Sequence, residues 1–228
     1  MRQFVIGDIH GACKALIQCL ERSGFDYEHD QLICLGDVCD GWPETNQAIE
    51  ELLKIQNLVF ILGNHDLWAL EWATGGEAKN IWLSQGGDAT IRSYPDGMPD
   101  SHIRLLKEAH YYFDDRKRLF VHAGIDPEVP IEIQSADIFL WDRSLFRRAI
   151  ANMHEKRECC ITGYNEVYIG HTPIHHYQMT PMKCCEIWLM DTGAGWEGVL
   201  SMMDINTKEV FISDIVMDMY PKGSGRVK

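Results

Sequence analysis

The chain has 228 residues and carries 34 acidic against 21 basic side chains, for a formal net charge of −13. Hydrophobic residues make up 46% and charged residues 24%, the composition of a globular protein with a sizeable core. The acidic balance argues against a nucleic-acid binder, because phosphate neutralisation needs a basic surface. No apolar run reaches the roughly 20 residues that span a bilayer, and the acid at position 8 comes too early for a signal peptide. A cytoplasmic protein without membrane or nucleic-acid partners is predicted, and its composition specifies no oligomeric state.

Eight cysteines are present, and their spacing includes no C-x-x-C pair of the kind that holds zinc. An even count permits a disulfide framework, but the chain is long and lacks secretion signals. Reduced thiols that pack as small hydrophobic side chains are therefore the predicted state. No function is predicted for the adjacent pairs, Cys159 with Cys160 and Cys184 with Cys185.

Short apolar runs that end in glycine, histidine or aspartate recur along the chain, and their length and β-branched content are typical of buried strands. They lie at residues 3–6, 31–35, 58–62, 118–121, 166–169 and 184–190. Helical periodicity predicts helices over 12–22, 44–55 and 66–74, between the early strands. Alternating strands and helices indicate an α/β sheet with crossover helices.

The rest of the chain is predicted to extend this single domain of residues 1–228. Residues 77–112 are interpreted as a mostly helical insertion. Residues 198–214 are predicted to form two strands joined by a turn at 206–208, which favours a mixed sheet or a second sheet packed on the first. Residues 222–228 are predicted to be a frayed end.

Polar side chains follow the last apolar residue of most predicted strands. Ligand sites in open α/β sheets form outside the carboxyl ends of the strands, so these side chains are expected to converge. The candidates offer oxygen and imidazole ligands without a thiolate, a set that suits Mn²⁺, Fe, Zn²⁺ or Mg²⁺. They are Asp8, His10, Asp37, Asp40, Asn64, His65, His122 and His171.

The spacing of these residues allows two ions to share one carboxylate. Asp8 and His10 are two positions apart, so both point to the same side of an extended segment. Asp37 is the natural bridging residue, and Asn64, His122 and His171 would complete the second site. Two cations about 3.5–4 Å apart clamp the attacking and leaving oxygens of a phosphoryl transfer.

A proton for the leaving group needs a separate donor. His65 follows Asn64 directly and is suited to act as a general acid. A carboxylate such as Asp40 would orient its ring, as partner carboxylates do in other active sites.

Five motifs in order resemble those of the calcineurin-like metallophosphoesterases, and in particular the small bacterial and phage serine/threonine phosphatases of the phosphoprotein phosphatase family. They are Gly7-Asp8-Ile9-His10-Gly11, Gly36-Asp37-Val38-Cys39-Asp40-Gly41, Gly63-Asn64-His65-Asp66, Val121-His122-Ala123-Gly124 and Gly170-His171-Thr172. The resemblance implies a four-layer α/β/β/α sandwich with mixed sheets and a dinuclear metal centre at one edge.

The same resemblance implies an activity and a set of roles. Two divalent ions, Mn²⁺ first among them, would bind in two sites that share Asp37, the first with Asp8 and His10, the second with Asn64, His122 and His171. His65 and Asp40 would form the acid pair. The implied reaction is hydrolysis of phosphoserine or phosphothreonine monoesters by metal-bound hydroxide, with a phosphorylated protein or a small phosphoester as substrate.

Two positions depart from the family pattern. Gly41 and Leu62 stand where the family usually has arginines that grip the substrate phosphate in bidentate fashion. Arg143 matches the remaining phosphate-contacting arginine and becomes the main predicted clamp. The motif around Asn64 also resembles the symmetrical dinucleoside tetraphosphatases, so a dinucleoside polyphosphate or nucleotide substrate is an alternative. A metal-binding regulatory protein with weakened catalysis is the third interpretation.

Overall fold

Two mixed β-sheets form the centre of the computed structural model, which describes residues 1–155 and 160–226. The strands in these residues are β1 (Gln3–Ile6), β2 (Gln31–Cys34), β3 (Asn57–Phe60), β4 (Tyr112–Asp115), β5 (Arg118–Val121), β6 (Glu166–Ile169), β7 (Met182–Cys184), β8 (Ile187–Leu189), β9 (Ser201–Asp204) and β10 (Val210–Ile212). The first sheet has the order β10-β9-β1-β2-β3 and the second has the order β4-β5-β6-β8-β7.

The α-helices lie on the outer faces of the two sheets and in the connections between them. They are α1 (Cys13–Ser23), α2 (Thr45–Leu52), α3 (Asn64–Ala73), α4 (Asn80–Trp82), α5 (Asp88–Ser93), α6 (Asp100–Lys107), α7 (Ala136–Trp141) and α8 (Ser144–His154). A π-helical turn over Leu83–Gly87 joins α4 to α5, and 3₁₀ turns cover Ile131–Ile133 and Val216–Met219.

Three clusters of buried hydrophobic side chains define the layers. One cluster packs the first sheet against α1 and α2, through residues such as Phe4, Leu16 and Ile49. A second packs the other sheet against α7 and α8, through residues such as Phe139 and Ala149. A third lies between the sheets and consists of Val5, Ile33, Leu35, Ile61, Phe120, Tyr168, Met190, Met203 and Ile205. The predicted α/β/β/α sandwich with mixed sheets is therefore confirmed.

Parallel pairing brings the loops after several strands to one edge. In the first sheet β1 pairs in parallel with β2, and β2 pairs in parallel with β3. In the second sheet β5, β6 and β8 are parallel neighbours. Because carboxyl ends of parallel strands lie side by side, the polar residues that follow these strands meet at this edge.

Three local predictions from the sequence differ from the structure. The predicted strand 184–190 covers the last residue of β7, a turn and then β8, which form a hairpin with antiparallel pairing of Cys184 and Ile187. Cys185 has a φ of 56°, a turn conformation that ends the first strand. The third helix begins at Asn64, two residues before the predicted start, because Gly63 is its N-cap and Asp66 accepts a hydrogen bond from the Gly63 N–H.

The third difference concerns the carboxyl-terminal segment. The prediction of a frayed end over 222–228 is wrong at Arg226, whose side chain lines a pocket of about 630 Å³. Residues 227 and 228 lie outside the described residues. The predicted strands of the tail are present as β9 and β10, and they pair in antiparallel fashion.

Two predictions from composition, reduced cysteines and the lack of a membrane-spanning segment, can be compared with the structure. The cysteines at positions 13, 19, 34, 39, 160 and 184 are free thiols, and Cys159 lies outside the described part of the chain. Within residues 1–155 and 160–226, no helix combines the length and the apolar character needed to cross a bilayer.

Candidate metal and catalytic site

Sharp backbone turns after the strands aim the polar side chains at one point. His10, Asp37, Asp40 and His171 have φ angles of 52°, 48°, 74° and 64°. This left-handed region costs a residue with a Cβ about 1–2 kcal/mol, so the surrounding contacts must hold these turns in place. Such strain clusters at functional sites, where it fixes the direction of side chains that a relaxed turn would point elsewhere.

Asp37 lies at the centre of the site. Its carboxylate belongs to two groups of three possible ligands, one with His10 and His65 and the other with His122 and His171. In each group the ligand atoms lie within 4.8 Å of one another. Asp37 Oδ2 is 3.4 Å from His122 Nε2 and 3.9 Å from His10 Nε2. The position between two imidazole groups is the one that a bridging carboxylate occupies.

The half of the site around His122 offers one oxygen and two imidazoles beside Asp37. His122 Nδ1–H donates to the Leu35 carbonyl at 2.8 Å, which turns Nε2 toward the site. That Nε2 lies 3.0 Å from the Asn64 Oδ1. Burial alone would lower the pKa of His122, but the Asp37 carboxylate outweighs it and raises that pKa to about 10. The excess negative charge that produces this shift also favours a bound cation.

Asp8 lies behind the opposite half of the site. It accepts the backbone N–H of His171 at 3.0 Å, and its Oδ2 is 4.0 Å from His10 Nε2. Burial and the neighbouring Asp191 raise the pKa of Asp8 well above its usual value. Burial also raises the pKa of Asp191 to about 6, with Asp37 adding to it. These crowded carboxylates are destabilised as anions until positive charge is placed among them.

The predicted acid pair is in direct contact. His65 Nδ1–H donates to Asp40 Oδ2 at 2.6 Å, and both residues are buried. Asp40 also accepts from Trp82 Nε1 and from the Thr90 hydroxyl, each at 2.7 Å. These bonds hold the Asp40 carboxylate in one orientation and thereby set the orientation of the His65 ring.

Sequence reasoning missed several residues that position this site. Trp82 and Thr90 hold Asp40 from α4 and α5, within the segment interpreted as an insertion. Asp66 accepts the backbone N–H groups of Val38 and Cys39 and so ties α3 to the loop after β2. The signal for Asp66 was present in the run Gly63-Asn64-His65-Asp66, whereas nothing local in the sequence marks Thr90.

A pocket of about 630 Å³ opens over the site. Six of the predicted residues line it, while the others, Asp8, Asp40 and His122, lie buried behind the lining. The six are His10, Asp37, Asn64, His65, Arg143 and His171. Arg143 is exposed at the pocket, within electrostatic range of His171. Trp68, Trp141 and Trp196 also line the pocket, so an aromatic surface adjoins the polar cluster.

Glycines allow the strand-end loops to approach the ligands. A Cβ on Gly63 would lie 2.2 Å from Asp37 Oδ1 and 2.3 Å from the Asp37 backbone nitrogen. We expect Gly63→Ala to destabilise the protein by about 1–3 kcal/mol, the usual cost of overpacking, and to weaken Mn²⁺ binding by displacing Asp37. Thermal unfolding and metal titration measure the two effects.

Gly124→Ala is the matched control for that variant, since Gly124 follows β5 near the same edge. A Cβ there meets its nearest atoms at 3.4 Å, which the neighbours tolerate. Equal unfolding temperatures for the two variants would show that the Gly63 contact does not constrain Asp37.

A comparison with models of known protein families identifies the family of this chain. The family model described as calcineurin-like phosphoesterase matches residues 1–194. The chain belongs to this family. The phosphoesterase is 25% identical over 207 residues to serine/threonine-protein phosphatase 1 of Salmonella typhimurium, which covers 89% of this chain and 91% of the relative. It is 33% identical to a symmetrical bis(5′-nucleosyl)-tetraphosphatase of Pseudomonas syringae pv. tomato, over 92% of this chain and 88% of the relative.

Solved structures agree with the fold. A putative diadenosine tetraphosphatase superimposes with a TM-score of 0.66 at 15% identity, covering 92% of each chain. A serine/threonine phosphatase of Saccharomyces cerevisiae, with similarity to human phosphatase PP5, superimposes with a TM-score of 0.65 at 11% identity. It covers 100% of this phosphoesterase and 84% of the yeast chain. At these identities the likeness shows the shared architecture alone.

Proposed function

We propose that this phosphoesterase is a metal-dependent serine/threonine protein phosphatase that hydrolyses phosphomonoesters. The observation that carries the metal dependence is the position of Asp37, which belongs to both groups of converging ligands. The donor set fits divalent ions, because it consists of carboxylates, an amide oxygen and imidazoles that are buried and close together. A full-length match to a relative named as a protein phosphatase supports the substrate class.

Two ions would be held by the residues around Asp37. Asp8 and His10 would bind one ion, and Asn64, His122 and His171 would bind the other, with Asp37 shared between them. Divalent ions bound there supply positive charge that lowers the pKa of water and offsets the charge of the phosphoryl oxygens. Mn²⁺ is the first choice among Mn²⁺, Fe, Zn²⁺ and Mg²⁺, since all four accept this donor set.

The protein residues carry out the remaining tasks. His65 protonates the departing alkoxide, with its ring oriented by the 2.6 Å hydrogen bond to Asp40. Arg143, at the pocket wall, binds the phosphate oxygens. The aromatic wall excludes water from one side of the pocket. The proposed reaction has no covalent intermediate on the protein, since neither cysteine nor serine lines the pocket among the described residues.

A second candidate substrate is a dinucleoside polyphosphate. The specific observation in its favour is the pocket wall of Trp68, Trp141 and Trp196, because indole faces stack well on nucleobases. The 33% identity to a symmetrical tetraphosphatase points the same way. The pocket volume of about 630 Å³ is large enough for more than a phosphoryl group alone.

A direct comparison of substrates tests the proposal. The protein is loaded in turn with Mn²⁺, Mg²⁺, Zn²⁺ and Fe²⁺, and kcat/KM is measured on phosphoserine peptides and on diadenosine tetraphosphate. We expect the phosphopeptides to be hydrolysed with the higher kcat/KM in Mn²⁺. A higher value for the dinucleotide selects the second candidate, and background rates on every phosphoester despite bound metal select the regulatory interpretation.

A further inference from the structure

The carboxyl-terminal segment brings an arginine into the pocket that the family motifs do not provide. Arg226 lines the same pocket as His10, His65 and Arg143, although it lies 216 positions from His10 in the chain. The positions at which the family motifs usually carry phosphate-gripping arginines hold Gly41 and Leu62 in this chain. Arg226 and Arg143 are the arginines that line the pocket among the described residues.

The segment that carries Arg226 is anchored by specific packing. The Tyr220 ring stacks on the Trp42 indole with ring centroids 5.1 Å apart. Trp42 Nε1–H donates to the Ala194 carbonyl at 2.7 Å, so the indole is itself held in place. A Cβ on Gly225 would lie 2.6 Å from Trp42, so the chain passes the indole at a distance that requires glycine. These contacts deliver the next residue, Arg226, into the pocket.

Two glycines leave the space that the guanidinium occupies. A Cβ on Gly41 would lie 3.4 Å from Arg226 Nε, and one on Gly86 would lie 3.0 Å from the same atom. The Gly41 N–H donates to the Gly86 carbonyl at 3.2 Å, which joins the two loops into one surface. Position 41 thus holds a glycine where the family pattern has an arginine, and this glycine leaves room for the guanidinium of Arg226 at the same place.

The Arg226 guanidinium has a buried donor without an acceptor among the described residues. Arg226 Nε is buried and has no hydrogen-bond partner within residues 1–155 and 160–226. Its Nη2 lies 2.9 Å from His10 Nδ1 and 3.3 Å from His65 Nδ1. Those ring nitrogens are 3.1 Å from the Cys39 carbonyl and 2.6 Å from Asp40, so their protons point to those oxygens. A ring nitrogen that carries its proton cannot accept from Nη2. The His65 Nε2, at 3.4 Å, is then the one ring nitrogen of this group left to accept from Nη2.

Such a set of donors is complementary to an oxyanion. A guanidinium presents its N–H groups as a planar fork that fits two phosphate oxygens at once. The Trp196 ring lies 5.4 Å from the guanidinium carbon and supports it by a cation–π contact. Burial disfavours the charge of Arg226 and lowers its pKa, and the attraction of Asp40 and Asp37 offsets part of that cost.

We infer that Arg226 is a substrate-binding residue, which grips the phosphoryl oxygens from the side of the pocket opened by Gly41 and Gly86. This inference rests on the proposed phosphoesterase function. It assigns to the carboxyl-terminal segment the binding of phosphate oxygens, which the arginines of the family motifs usually perform. The ligand class is a phosphate monoester or inorganic phosphate.

Arg226→Ala in the Mn²⁺-loaded full chain tests the inference. We expect KM for a phosphoserine peptide and Kd for inorganic phosphate to rise about 10- to 100-fold, since truncation removes a charge-assisted bidentate contact. Arg226→Lys keeps the positive charge but loses the planar pair of N–H donors. Its KM and Kd should therefore lie between those of the wild type and those of Arg226→Ala. Calorimetric titration of inorganic phosphate supplies the Kd independently of turnover.

Lys222→Ala is the matched control, because Lys222 is an exposed cation of the same segment. Metal content, measured for every variant, should equal that of the wild type. An unchanged phosphate affinity in Arg226→Ala would overturn the inference. A phosphate affinity and turnover above those of the wild type would also overturn it, by showing that the guanidinium obstructs the site. Failure of the proposed function is distinguishable, since it shows in the wild type alone, which would then hydrolyse phosphoserine peptides less well than diadenosine tetraphosphate or not at all.

Discussion

Asp37→Asn is expected to abolish tight binding of both divalent ions. The substitution keeps the size of the side chain but removes the negative charge that two groups of ligands share. Loss of an outer-sphere partner alone costs about 10- to 100-fold in metal affinity, so removal of the shared ligand should exceed about 100-fold and take activity with it. Equilibrium dialysis with metal analysis and a phosphatase assay measure the two effects.

The control for Asp37→Asn is Asp88→Asn, which removes one charge from an exposed ion pair with Arg92 on α5. It should retain wild-type metal content. If Asp37→Asn retains two bound ions per chain, Asp37 is not the bridge, and the assignment of both sites fails. Retention of one ion would place Asp37 in a single site.

His65→Ala is expected to lose most activity on alkyl phosphates while the metal content stays unchanged. A general acid contributes about 10²- to 10⁴-fold, and the hydrogen bond to Asp40 prepares His65 for this role. The loss should be much smaller on an aryl phosphate whose leaving group departs as a stable anion, because that departure needs no proton. kcat on the two substrate types measures the difference.

The structure also allows a different role for His65, as a metal ligand. His65 lies with His10 and Asp37 in one of the two groups that could hold a metal ion. Loss of one bound ion in His65→Ala, with equal loss of activity on both substrate types, would identify His65 as a ligand. His29→Ala is the control, since His29 is exposed and pairs with Asp26.

Parts of the fold follow from local patterns in the chain. Strand β1 and strand β6 were predicted with the bounds that the structure shows, because short runs of β-branched and other apolar residues followed by glycine are typical of buried strands. The turn between β7 and β8 was missed and residues 184–190 were predicted as one strand, because Cys185 and Glu186 lie between apolar residues and the turn depends on pairing. Helix α3 begins earlier than its apolar pattern, because Asp66 reaches back to the Gly63 N–H.

Some residues of the candidate site could likewise be predicted from the sequence, and others could not. Residues directly after a strand, such as Asp8 and His122, could be chosen because strand ends share an edge of a sheet. Trp82 and Thr90, which hold Asp40, lie in a segment without any strand-end signal. Arg226 was assigned to a frayed end, since its environment is built from Trp42, Gly41 and Gly86, all distant in the chain.

The amino-acid sequence by itself determined the family, the four-layer fold and the residue types at the strand ends, because periodicity and motif order are local properties of the chain. The tertiary structure alone decided that Asp37 belongs to two ligand groups, that Asp40 is held by Trp82 and Thr90, and that Arg226 enters the pocket. These facts depend on packing between segments that are distant in the chain, from 42 residues for Asp40 and Trp82 to 216 for His10 and Arg226. The hydrophobic contacts of the core set these distances, and no local pattern encodes them.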